Sequence, residues 1–84
     1  MFRNPLVLRW VHPEKRRWYT VIATSDLFGD LVLIRSWGSL DNQRGGEMRE
    51  ILSSKEEIKD RLRIIAKQRR RHGYLRCSCG ENGP

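Results

Sequence analysis

Cysteine is scarce in this chain: the two thiols, Cys77 and Cys79, are separated by a single residue. That spacing suits neither a disulfide between them nor, without further ligands, a tetrahedral zinc site. A metal centre and a disulfide framework are therefore not expected, and the thiols fit a reducing, cytoplasmic setting. No run of about 18 apolar residues exists, so no membrane-spanning helix is expected. The first ten residues hold two arginines and a proline among short apolar stretches, and they lack the h-region and cleavage site of a signal peptide. No serine or cysteine stands in a nucleophile motif with a base, and no paired carboxylates are visible. Gly45-Gly46 is followed by no Lys-Ser or Lys-Thr, so it is not a phosphate loop. His12 and His72 have no evident catalytic partners. Enzymatic function and bound cofactors are not expected.

What the chain does carry is positive charge. Lysine and arginine number 17 against 10 acidic residues, a net charge of +7. The excess is uneven. Residues 1–54 hold 8 basic and 6 acidic groups, residues 55–72 hold 8 and 3, and residues 73–84 cancel. A localised excess of this sign implies an anionic partner, nucleic acid first, against the plainer reading of a solvated surface. The 84 residues make one domain, read as 1–77 with a polar, glycine-rich tail at 78–84. A chain of this length buries only about 60–65% of its unfolded surface. The core must be compact, and there is little room for a deep cleft.

Period-two and β-branched patterns place strands at Leu6–Val11, Trp18–Ala23 and Leu31–Trp37, with a weaker one at Glu47–Leu52. His12-Pro13-Glu14-Lys15, Ser25–Asp30 and the long polar stretch Gly38–Gly46 read as turns. A helix is predicted from Lys55 to Arg71. Ser54-Lys55-Glu56-Glu57 forms a capping box, in which Ser54 accepts from an early backbone N–H and Glu57 reaches back. Glu56 and Glu57 sit at the positive end of the helix dipole, Arg69, Arg70 and Arg71 at the negative end, and Gly73 supplies the stop. Tyr74–Cys77 is placed as a short closing strand. The expected fold is α+β: a small antiparallel sheet of four to five strands with one C-terminal helix packed across it.

At 100° per residue, Ile58, Leu62 and Ile65 lie within about 60° of one another and mark the face laid on the sheet. Ile64 points elsewhere. Lys59, Arg63, Lys67 and Arg70 form a second stripe, rotated roughly 120° from the first. It reads as a phosphate track or as a solvated face, extended by Arg69 and Arg71. The helix's narrow apolar face is needed for the sheet, which argues against a membrane-surface role. Arg9, Lys15, Arg16 and Arg17 form a second basic patch at the first hairpin.

Arg35-Ser36-Trp37-Gly38-Ser39-Leu40 resembles the signature of the WGR domain. An upstream Arg17-Trp18-Tyr19, the Ser54 helix start and His72-Gly73-Tyr74 are also similar, so that the likeness covers about residues 16–75. The family includes modules of DNA-dependent poly(ADP-ribose) polymerases and short bacterial proteins. The resemblance implies a single helix on an antiparallel sheet and contact with DNA near a strand end or break. It gives Trp37 the packing contact with sugar-phosphate and Gly38 a close backbone approach. Ser39 departs from the family, which has arginine there; Arg35 or Arg44 would supply a nearby guanidinium. The alternative for Trp37 is a core aromatic at a strand end, while Trp10, Trp18 and Tyr19 read as packing residues. The expected nucleic-acid site is Trp37, Gly38, Arg35, Ser39, Arg44, Lys59, Arg63, Lys67, Arg70 and Arg71. DNA is the favoured partner, an acidic partner protein the alternative, and the domain is expected to be a monomer.

Overall fold

The computed structural model describes residues 5–77. The element order is β1 (Leu6–His12), β2 (Arg17–Ser25), β3 (Leu31–Ser39), β4 (Gly45–Leu52), α1 (Lys55–Arg71) and β5 (Leu75–Arg76). The strands form one antiparallel sheet in the order β4-β3-β2-β1-β5. The predicted α+β architecture is observed, and α1 has the predicted limits. The tail at 78–84 lies outside the described residues. No described helix is long and apolar enough to cross a membrane.

Alternation decides which face is buried. Leu8 and Trp10 of β1, Tyr19, Val21 and Ala23 of β2, and Leu33 of β3 point to one side, because strand side chains alternate. α1 lies over that side. Ile58 and Ile65 are each 1% exposed, and Leu62 packs at the edge of the same core. Ile64 is half exposed, as its angle requires. Full burial of each isoleucine contributes about 1.5–3 kcal/mol of transfer free energy.

β3 and β4 run further toward each other than their glycines suggest. Gly38 and Gly45 are paired strand residues, not turn residues. A Cβ at Gly45 would collide with the backbone carbonyl of Trp37, so only glycine lets the two strands close here. β5 is shorter than expected. It pairs with β1 through Trp10–Arg76 and Val11–Leu75, and the Cys77 N–H then donates to the Arg9 carbonyl at 2.8 Å.

The helix ends are held by side chains and by glycine. Ser54 Oγ accepts from the Glu57 N–H at 3.2 Å. The Glu57 carboxylate reaches one residue further back than expected, accepting from the Ser53 N–H and Ser53 Oγ, each at 2.8 Å. At the far end Gly73 has φ +87°, with Gly73 N–H donating to Arg70 and Tyr74 N–H to Arg69. This is the Schellman arrangement. A Cβ at Gly73 would also sit 2.9 Å from His12 Nε2.

The Ser53 backbone and hydroxyl bonds, with Arg61 adding a smaller attraction, hold the Glu57 carboxyl below the usual carboxylate range. A carboxyl whose folded pKa is depressed stabilises above its unfolded pKa, and that contribution disappears as pH falls through the folded value. Glu57→Gln is therefore expected to lower the melting temperature at neutral pH and to flatten its decline on acidification. Melts from neutral to acid pH check this; an unchanged acid limb would show that the cap carries no pH dependence.

Candidate nucleic-acid interface

Three separate segments meet at one end of the sheet. The first is the β1–β2 turn, where Arg16 adopts φ 53°. His12, 6% exposed, anchors this turn by accepting from the Lys15 N–H through Nδ1 at 3.1 Å. The second is the β3–β4 turn. It is tied to the first by the Leu40 N–H donating to the Arg16 carbonyl at 2.8 Å and by the Arg16–Asp41 pair at 2.7 Å. Within it, Asn42 Oδ1 accepts from the Arg44 N–H at 2.8 Å and Ser39 Oγ from the Asp41 N–H at 3.0 Å. The third is the C-terminal turn of α1, which brings Arg69 and then Tyr74.

Between them lies a groove of about 630 Å³. Its cations are Lys15, Arg17, Arg44 and Arg69, its rings are Trp18, Tyr19, Trp37 and Tyr74, and Ser39 and Asn42 line it as well. No carboxylate does so among the described residues. A smaller hollow of about 200 Å³ shares Lys15, Arg17, Arg69 and Tyr74 and adds His12 and His72, again without a carboxylate. None of the four groove cations forms an ion pair among the described residues.

The rings are set by strand register. Trp10, Tyr19, Trp37 and Gly46 occupy one rung across β1 to β4. Trp10 meets Tyr19 edge-on with centroids 6.2 Å apart, and Trp37 lies nearly parallel to Tyr19 at 6.2 Å. Trp10 and Tyr19 are buried, as expected of packing residues. Trp37 is 37% exposed, so it closes the end of the core and still offers surface to the groove. Gly46 makes that possible, since a Cβ there would come within 2.8 Å of the Trp37 ring. Gly46→Val should lift the indole off β4. The expected result is a changed Trp fluorescence maximum and weaker ligand binding with most of the fold retained; an unchanged spectrum would show that the ring does not rest there.

Arg69 lines both hollows. Its guanidinium carbon lies 4.3 Å from the Tyr19 ring centroid and 4.9 Å from that of Tyr74. Its Nε is buried without a hydrogen-bond partner. Such π contacts hold a cation with about 0.5–2 kcal/mol and do not neutralise it, so its charge stays available to an anion.

The expected site residues divide. Trp37, Gly38, Ser39 and Arg44 line the groove. The space above Gly38 is occupied by Trp18, whose ring a Cβ would approach to 2.8 Å on the side of the sheet away from α1. Arg35 is turned under the helix. Its Nη2 lies 3.5 Å from Glu50, whose other oxygen holds Arg61. Lys59, Arg63, Lys67, Arg70 and Arg71 are exposed on α1 and line neither hollow, with Arg63 leaning on Asp60 at 3.4 Å. Of the first-hairpin patch, Lys15 and Arg17 join the groove, Arg16 is paired, and Arg9 lies on the other face of the sheet.

Arg69 was legible as an anomaly. At 100° per residue it lies about 20° from Ile58, inside the apolar stripe and one turn beyond Ile65. A lone cation there must either leave the core face or meet a ring. Among the described residues no group of three His, Cys, Asp or Glu side chains is placed to hold a metal ion, and Cys79 lies outside them. Compared with known proteins, the chain matches no family model, no curated protein and no solved structure.

Proposed function

We propose that this domain binds nucleic acid, DNA in the first place, in the groove between the two turns and the end of α1. The observation that carries the reading is the lining itself: four cations without carboxylate partners, brought together with exposed aromatic surface. Cations without partners favour a polyanion. Flat rings favour a sugar or base over a carboxylate side chain, since a stacked base contributes about 1–3 kcal/mol. The resemblance to the WGR signature supports the same ligand and a role for Trp37 at a strand end. The exposed helix stripe lies outside the groove and adds long-range attraction for a polyanion.

The test is a fluorescence titration with single-stranded, blunt, nicked and closed duplex DNA at several salt concentrations. With about four phosphates neutralised, the log–log slope on duplex should lie near −3.6. Trp37→Ala is expected to weaken binding to strand ends by about 5–100-fold and to closed duplex much less. Equal loss on both would remove the end-binding role, and a flat salt response would remove nucleic acid altogether. Tight binding of polyglutamate that DNA cannot displace would favour an acidic protein partner instead.

A further inference from the structure

α1 covers one face of the sheet, and no described element covers the other. A solvated antiparallel face ordinarily alternates toward polar side chains. Here the outward positions include Val7, Val11, Trp18, Ile22, Ile34 and Ile51: Val7 is 37% and Ile51 67% exposed, Val11, Trp18, Ile22 and Ile34 are half-buried, and Val32 on the same face is buried. An apolar face of this extent marks an interaction surface.

The charges on this face identify what fits it. One rung across β1 to β4 reads Arg9, Thr20, Ser36, Glu47. It begins with a cation on β1 and ends with an anion on β4. The Arg9 guanidinium lies over the Trp18 ring, 5.9 Å from its centroid. Glu47 has only an exposed 3.5 Å contact with Arg49. The neighbouring rung reads Val7, Ile22, Ile34, Arg49.

Consider a two-fold axis that runs parallel to the strands, in the plane of contact, between β2 and β3. It places each rung against its own reversal. Ile22 then faces Ile34 of the second copy, Thr20 faces Ser36, and Arg9 faces Glu47 at two places. Aligned sheets pack with a rotation of about 30°. Arg9 and Glu47 lie about 7 Å from the axis, so the rotation offsets them by about 3.6 Å, less than the roughly 6.7 Å between same-face residues of a strand. Long side chains close that gap. The face thus sets apolar centre against apolar centre and Arg9 against Glu47, while Arg49 falls opposite Val7 and keeps its contact with Glu47 of its own chain. A lipid surface or a polyanion would match only the apolar centre or only the cations.

We propose that this face binds a second copy of the chain, sheet against sheet, through Ile22, Ile34 and Trp18, with Arg9 of each copy paired to Glu47 of the other. The pairing departs from the monomer expected from sequence, and of its contact residues Trp18 also lines the groove.

Sedimentation velocity of the full chain over a wide concentration range tests it, with circular dichroism melts to confirm folding. Wild type should show a reversible monomer–dimer equilibrium. Ile34→Lys should remain monomeric throughout. Arg9→Glu and Glu47→Arg should each weaken association about tenfold or more, because each leaves like charges facing at two places. The double variant Arg9→Glu with Glu47→Arg should restore it. The two charge reversals lie on exposed side chains outside the core, so they report even if Ile34→Lys folds poorly. A wild type that stays monomeric, a dimer that survives Ile34→Lys, or single reversals that the double variant does not rescue would each overturn the proposal. DNA binding by a monomeric variant separates this surface from the groove.

Discussion

Replacing Lys15, Arg17, Arg44 and Arg69 together by glutamine is expected to lower affinity for duplex DNA on the order of 10³-fold near 0.1 M salt. Each neutralised phosphate contributes about 0.9 to the slope of log affinity against log salt, so losing four removes about 3.6 and leaves a nearly flat response. The matched variant replaces Lys59, Arg63, Lys67 and Arg70. It removes the same four charges, so long-range attraction falls equally in both. Only contact with phosphate can separate them, and the stripe variant should retain most of the slope. Arg63 already faces Asp60, which reduces what it can offer. Equal losses in the two variants would mean that net charge alone attracts DNA and that the groove is no site. Because Arg69 also rests on Tyr19 and Tyr74, a triple variant that keeps it serves as a control. Its slope should fall by about 2.7.

Ile65→Ala is expected to cost about 2–5 kcal/mol of stability, because Ile65 is 1% exposed and its deletion leaves a cavity between α1 and the sheet. For a chain of this length the whole stability is on the order of 4–13 kcal/mol. At roughly 4–8 °C per kcal/mol, the melting temperature should fall by at least about 8 °C. Ile64→Ala one position away is the control: Ile64 is 51% exposed, and its change should stay within about 0.5 kcal/mol. Thermal and urea melts of both variants decide the point. Comparable losses would mean that the helix does not lie on the sheet along this face. Ile65 also stands one turn before Arg69. DNA binding of the alanine variant should therefore match wild type in the cold and disappear with unfolding.

Much of the architecture was legible locally. The limits of α1 followed from Ser54, Gly73 and the spacing of Ile58, Leu62 and Ile65, all of which act within a few residues. The strand ends were less legible where glycine stood. Gly38 and Gly45 read as turn residues, yet both are paired in strands. Gly38 leaves room for the Trp18 ring and Gly45 lets two backbones close. Such a glycine serves a neighbour distant in sequence, and nothing in its own segment reveals that.

The candidate site divides in the same way. Sequence placed Trp37 at the end of a strand, but the Tyr19 ring beside it and Gly46 beneath it came from register. It offered Arg35 as a free guanidinium, whereas the fold turns that side chain to Glu50. It showed the hairpin cations and the helix cations as two patches without deciding whether they share a surface. What the sequence alone determined was period and charge: which residues alternate, which recur every turn, where the helix stops, and that the chain is basic. Only the tertiary structure decided that Lys15, Arg17, Arg44 and Arg69 line one hollow beside Trp37. Periodicity is a property of neighbours along the backbone. The meeting of three distant segments depends on strand register and on where α1 ends across the sheet, and these are set by packing between side chains far apart in the chain.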